Sequence, residues 1–194
     1  NKPMAVPAIM LGLCSLAFAI YMVPGLWGAP CKAVSAFAPP INTQDFNLNT
    51  KVVEAKYANY EEGMAAAKAQ GKPVLLDFTG FGCVNCRKME AAVWTDPQVA
   101  DKLEKDYVLI SLFVDDKTPL AEPIEITDDS GQKRTLRTVG AKWSWLQSHM
   151  FGSTTQPFYV AVDANGNPLT GSYSFKEDVP AYLDFLEKGL KNFK

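Results

Sequence analysis

The sequence predicts an α/β domain with a mixed central sheet flanked by helices, preceded by one apolar helix. Three observations carry this reading. Short apolar runs at residues 74–78 (VLLDF) and 107–114 (YVLISLFV) are separated by helical stretches, the pattern of buried parallel strands. A third run, residues 158–162 (FYVAV), leads into Asn165-Gly166 and a further extended stretch, which is hairpin chemistry. Between Lys2 and Lys32 lie 29 residues without a charge, and every Asp and Glu falls at or beyond Asp45.

Composition narrows the function classes. The 194 residues are 47% hydrophobic, 21% charged and 11% aromatic, a globular composition that excludes a disordered or collagen-like chain. With 19 basic against 21 acidic residues and a single His, the chain has no electrostatic footprint for nucleic acid. Setting Lys2 and Lys32 aside leaves 17 basic and 21 acidic residues, so an uncharged segment is joined to an acidic domain.

Residues 4–23 supply the roughly 20 apolar residues that a membrane-crossing helix needs. Tyr21 and Trp27 fall at its interfacial end, and Pro24-Gly25 would stop a helix there. Residues 1–30 are therefore expected to be a transmembrane helix, either alone or as the last span of a larger membrane domain. The competing reading is a cleaved signal peptide, with Met4 as a start, Lys2 ahead of it and Ala36-Phe37-Ala38 as a cleavage site. Both readings export the downstream domain. Cys14 is expected to be a small buried hydrophobe in this helix, and Cys31 is assigned no role.

Residues 31–52, with Pro39-Pro40, Asn42, Asn47 and Asn49, read as a linker to a domain at 53–194. Tyr57, Tyr60, Met64 and Ala67 recur at helical spacing, with Glu61 and Glu62 in the first turn, Lys68 in the last and Gly71 as the stop. The 74–78 strand comes next, then Gly80-Phe81-Gly82-Cys83 and a helix to about Val93. Asp96-Pro97 opens another helix, with Asp as N-cap and Pro in the first turn. The 107–114 strand completes a right-handed βαβ unit. Residues 117–138 interrupt the pattern: Ile124-Glu125-Ile126 and Thr135-Leu136-Arg137 alternate around Asp128-Asp129-Ser130-Gly131, an inserted hairpin. A helix over 141–151 carries Trp143, Leu146 and Met150 on one face. Gln156-Pro157 precedes the 158–162 strand, and a helix over about 176–192 closes the chain.

The chemistry concentrates at Cys83-Val84-Asn85-Cys86, placed at a strand-to-helix junction. Two intervening residues on the first helical turn bring both sulfurs to disulfide distance, and the free N–H groups of that turn favour a thiolate on the first cysteine. Cys83 is then the exposed nucleophile and Cys86 the buried resolving thiol. The rival use of a Cys-x-x-Cys pair is half a zinc site, for which only Cys14, Cys31 and His149 remain as partners. Asp77 is either an outward-facing residue of an edge strand or a buried carboxyl able to take the proton of Cys86. Glu90, four residues after Cys86, is either a solvated helix residue or lies on the face of the two cysteines. Ionised acids beside the sulfurs would raise the thiol pKa against the helix terminus.

These residues resemble a known family. Residues 74–89 (VLLDFTGFGCVNCRKM) are similar to the active-site strand and helix of the thioredoxin superfamily, with Asp77 matching its buried aspartate and Pro157 its cis-proline. Within it, Cys83-Val84-Asn85-Cys86, Glu90 and Thr95-Asp96-Pro97-Gln98-Val99 resemble the C-terminal periplasmic domain, with the last membrane span, of the thiol:disulfide interchange protein DsbD family. The resemblance covers most of 53–194 and is weak over 117–138. It implies a thioredoxin-like fold and a protein-disulfide reductase of the bacterial inner membrane, its soluble domain in the periplasm. Cys83 would take electrons from the dithiol of an upstream membrane domain and pass them to periplasmic thioredoxin-like partners, with support of cytochrome c maturation among the family's roles. Asp77 and Glu90 would tune the Cys83 pKa, and the loop at Gln156 and Pro157 would bind the partner. No cofactor beyond the Cys83–Cys86 disulfide and no metal is expected. Two departures stand out: Gly82 replaces the aromatic residue often found before the first cysteine, and Ser111 takes the likely position of the lysine near the buried aspartate.

Overall fold

The computed structural model describes residues 6–23, 53–127 and 131–193. The expected linker at 31–52, Cys31, and the Asp128-Asp129-Ser130 turn lie outside the described residues. Helix α1 (Val6–Met22) contains no buried residue, and Cys14 on it is exposed rather than buried, because no described element packs against it. At 17 residues it is about 25 Å long, short of the ~30 Å hydrocarbon core. Among the described residues no helix is long and apolar enough to cross a membrane, so the span expected over residues 1–30 is not supported.

The first helix of the domain, α2 (Tyr60–Gln70), begins later than its periodicity predicts. Asn59 accepts the Glu62 N–H as N-cap, and Tyr57 instead forms an isolated parallel bridge with Ile110. Gly71, in the left-handed region at φ 63°, ends the helix where the sequence predicts. Strand β1 (Val74–Thr79) comes next, then α3 (Val84–Met89), a π-helical turn (Glu90–Trp94) and α4 (Pro97–Lys105), whose N-cap Asp96 accepts from Gln98 and Val99. The predicted continuous helix to Val93 is thus wound in two ways. Strand β2 (Val108–Phe113) leads to the inserted hairpin of β3 (Pro119–Thr127) and β4 (Lys133–Thr138), which forms a separate two-stranded sheet. Helix α5 (Val139–Phe151), β5 (Phe158–Val162), β6 (Tyr173–Ser174) and α6 (Val179–Asn192) complete the domain. Only two residues of the predicted second hairpin arm pair as strand, because Pro168 makes just an isolated bridge to Val162.

The sheet order is β2-β1-β5-β6, with β1 parallel to β2 and antiparallel to β5. Strand β1 is central and buried along its whole length, so its side chains alternate between two cores. Val74, Leu76 and Phe78 join Ile110, Leu112, Val160 and Trp143 on the α2/α5 face. Leu75 joins Leu109, Met89, Val93, Trp94, Tyr159 and Leu186 on the other. Each such side chain, fully buried, contributes roughly 1.5–3 kcal/mol. The same period of two puts Asp77 and Thr79 on the face of Leu75, under α3 and the π turn. Helix α5 starts hard against the turn after β2: a Cβ on Gly140 would stand 2.6 Å from the Asp116 nitrogen, so only glycine fits.

Candidate functional site

Strand β1 ends at Thr79, and the chain crosses to α3 through Gly80, Phe81 and Gly82. Two backbone bonds shape the crossing: Cys83 N–H donates to Gly80 O at 3.1 Å and Arg87 N–H to Cys83 O at 3.2 Å. Cys83 is the N-cap of α3, and its Sγ accepts the Cys86 N–H at 3.2 Å. A free helical N–H aimed at this sulfur is what stabilises a thiolate there. Cys83 and Cys86 are joined as a disulfide with Cα atoms 5.3 Å apart. Cys83 is half-buried while Cys86 is 2% exposed, the asymmetry expected of an attacking and a resolving sulfur. Among the described residues no group of three or more His, Cys, Asp or Glu side chains is arranged to hold a metal ion.

The loop is held from both edges by charged side chains that sequence reading missed. Asp115, after β2, accepts the Phe81 N–H at 2.8 Å and the Gly82 N–H at 2.9 Å through its two carboxylate oxygens. Arg87, 4% exposed, donates through Nη2 to Thr79 Oγ1 at 3.1 Å and Gly80 O at 3.3 Å, and through Nη1 to Glu90 Oε2 at 2.7 Å. Phe81 stacks on Phe113 with centroids 4.3 Å apart yet stays 48% exposed, and Val84 beside Cys83 is also exposed. Phe81 and Val84 thus expose apolar surface on either side of Cys83 in the chain.

Asp77 is buried on the central strand, as the second of its two sequence readings requires. Ser111, its register partner on β2, donates to Asp77 Oδ2 at 2.7 Å, while Oδ1 has no protein partner. Burial pushes this carboxyl up to about 7, against the opposing pull of the Ser111 hydrogen bond and the Arg87 charge. Glu90, at the start of the π turn, faces inward rather than to solvent. Burial holds it well above the ordinary carboxylate range, with Arg87 pulling down and Asp77 adding to the rise. Asp77, Thr79, Arg87, Glu90 and Ser111 line one side of a cavity of about 90 Å³, large enough for water, whose remaining wall is largely apolar, with Val53, Trp94 and Phe113.

The Gln156–Pro157 peptide is cis. Gln156 shares a surface groove with Gly80, Gly82, Cys83, Val84 and Asp115, so chain segments 70 residues apart meet at the disulfide. Gln147, wholly buried on α5, holds this loop: its Nε2 donates to Thr155 O at 2.8 Å and its Oε1 accepts from Gln156 Nε2 at 3.0 Å. Of the six residues singled out in the sequence, Cys83 and Gln156 line the groove, with Cys86 bonded to Cys83 and Pro157 next to Gln156, while Asp77 and Glu90 line the separate cavity on the Arg87 side. Arg87, Asp115 and Gln147 join them. The first carried no usable signal, because an arginine amid helical polar residues reads as solvated.

A family model described as thioredoxin-like matches residues 55–164. Among curated proteins, the thiol:disulfide interchange protein DsbD of Ralstonia nicotianae is 36% identical over 130 residues, covering 67% of this chain and 17% of that protein. The DsbD of Campylobacter jejuni is 25% identical over 108 residues, covering 55% of this chain and 18% of that protein. The chain spans less than a fifth of the length of these relatives. Among solved structures, one titled DsbH oxidoreductase aligns with a TM-score of 0.51 at 20% identity, over 77% of this chain and 93% of that one, a likeness of fold.

Proposed function

The chain belongs to the thioredoxin-like family, and from that premise we propose that it is a protein-disulfide reductase, relaying electrons from a membrane-embedded dithiol to periplasmic thioredoxin-like proteins. The observation that carries this reading is the Cys83–Cys86 disulfide at the N-terminus of α3, exposed on the Cys83 side in a groove it shares with Gln156. The electron donor, the acceptors and the exported location are inferred from the DsbD relatives, whose remaining length is ample for a separate membrane domain.

In the reduced protein the Cys83 thiolate attacks one sulfur of the partner's disulfide. A Cys83–partner bond forms, the partner's S–S bond breaks, and the departing thiolate takes a proton. Cys86 then loses its proton and attacks Cys83 Sγ; the mixed disulfide breaks, the partner leaves with both thiols reduced, and Cys83–Cys86 closes as the oxidised product. Two electrons pass to the partner. A carboxyl at about 7, as Asp77 has, is matched to accepting the Cys86 proton near neutral pH. Backbone at Gln156 and cis-Pro157 receives the partner segment that carries the disulfide. Exchange then runs in reverse with the donor dithiol to restore the reduced state.

The test is insulin reduction with dithiothreitol as electron source. Cys83→Ser is expected to abolish the activity, and Cys86→Ala, reduced and then freed of dithiothreitol before insulin is added, to accumulate a mixed disulfide visible on non-reducing gels. Retention of activity in Cys83→Ser would overturn the reading.

A further inference from the structure

We propose that Arg87 is a positioning residue for this exchange: its buried guanidinium fastens the loop that presents Cys83, and so fixes where Cys83 Sγ stands relative to an incoming disulfide. The proposal rests on the dithiol reading above and adds a residue which that reading does not use.

The bonds converge on one short segment. Nη2 grips Thr79 Oγ1 at 3.1 Å and Gly80 O at 3.3 Å, the last strand residue and the first loop residue. Gly80 O in turn accepts the Cys83 N–H at 3.1 Å, and the Arg87 backbone N–H reaches Cys83 O at 3.2 Å. One residue therefore holds both ends of the four-residue path to the nucleophile. Nη1 meanwhile ties the loop to Glu90 at 2.7 Å, at the point where α3 gives way to the π turn. A displacement of Thr79, Gly80 or the π turn moves Cys83 with it.

The chemistry of the side chain suits this task and not simple stability. Arginine's planar fork sends donors in two fixed directions, which a lysine's single ammonium cannot do. A buried ion pair is weak support for stability, since well-packed apolar residues often serve as well. The charged groups that share the guanidinium's cavity are Glu90 on the π turn, Asp77 on β1 and Glu54 ahead of α2, while Asp115 holds the other edge of the loop through Phe81 and Gly82. Arg87 secures the carbonyl edge and Asp115 the N–H edge.

The experiment compares Arg87→Lys and Arg87→Met with the parent protein, in the full chain, by single-turnover reduction of insulin across a pH series. Iodoacetamide alkylation gives the Cys83 titration separately. Loss of charge alone moves the pH midpoint, whereas misplacement of the sulfur lowers the plateau reached once Cys83 is fully ionised. Both variants are expected to drop the plateau about 10- to 100-fold, with Arg87→Lys within about threefold of Arg87→Met. A plateau at the parent's value in Arg87→Lys assigns the residue a charge role only and overturns the proposal. Lowered melting temperature with an unchanged plateau in both variants also overturns it, leaving a structural role. If Arg87→Met does not fold, the double variant R87M/E90Q, which removes the pair together, is read on the same scale. Failure of the dithiol reading looks different, because the parent protein itself would not reduce insulin.

Discussion

Replacing Asp77 with Asn tests the electrostatics of this buried carboxyl on a quantity that can be worked from the structure. The carboxyl has an ordinary value of 3.8 and is held at about 7 in the fold, mainly by burial. Between these two pH values the unfolded chain gives up a proton that the folded chain keeps. Stability therefore falls as pH rises through the window, with no cost below 3.8 and the full cost above 7. About three pH units correspond to about 4 kcal/mol. Asn keeps an acceptor for the Ser111 hydroxyl but sets an amide where Asp77 Oδ1 now lies without a partner, which costs about 1–3 kcal/mol. That second contribution is the same at every pH. The variant minus parent difference in unfolding free energy should therefore be about 4 kcal/mol more favourable at pH 8 than at pH 4, equivalent to roughly 10 °C in melting temperature. Urea denaturation of the oxidised proteins at the two pH values measures it. A difference that stays within about 1 kcal/mol across the range would refute the reasoning, since a buried carboxyl cannot be costly at pH 8 and silent in that comparison.

The loop contacts give two further expected outcomes. Asp115→Ala removes the acceptor of two loop N–H groups; unfolding free energy should fall by about 1 kcal/mol, and insulin reduction should slow, as measured by denaturation and turbidity. Gln147→Leu leaves Thr155 O without its donor and frees Gln156; KM for insulin should rise about tenfold, in line with about 1.4 kcal/mol of lost binding, while alkylation of Cys83 by iodoacetamide keeps the parent rate.

Much of the scaffold is legible because its signals are local. Asp96 caps its helix through bonds to N–H groups two and three residues away, and Gly71 stops a helix through its own backbone freedom, whereas the caps Asn59 and Asp178 set helix starts two or three residues later than the periodicity predicts. The Cys83/Cys86 spacing encodes its own geometry within one turn. Where a remote neighbour competes, sequence reading fails: Tyr57 leaves its helical period to bridge Ile110, and Pro168 cuts short the second arm of the β5 hairpin. The apolar helix was legible as a helix but not at the length a membrane span requires.

The sequence by itself determined the three buried strands, the Asp96 cap, the Gly71 stop and the dithiol at a strand-to-helix junction, each of which rests on signals within a few residues. It left Asp77 and Glu90 undecided between solvent and interior. Tertiary structure settled both, because burial is a property of what packs overhead: α3 and the π turn cover Asp77, and the π turn carries Glu90 inward onto Arg87. The same holds for Asp115, which reaches the loop across 33 or 34 residues of chain, and for the groove that joins Gln156 to Cys83. The pair of sulfurs was written in the chain; the charged frame that holds them was decided by folding, since the Asp115 bonds need segments 33 or 34 residues apart brought to within about 3 Å, and the Arg87 bonds need a helical side chain turned back onto the end of β1.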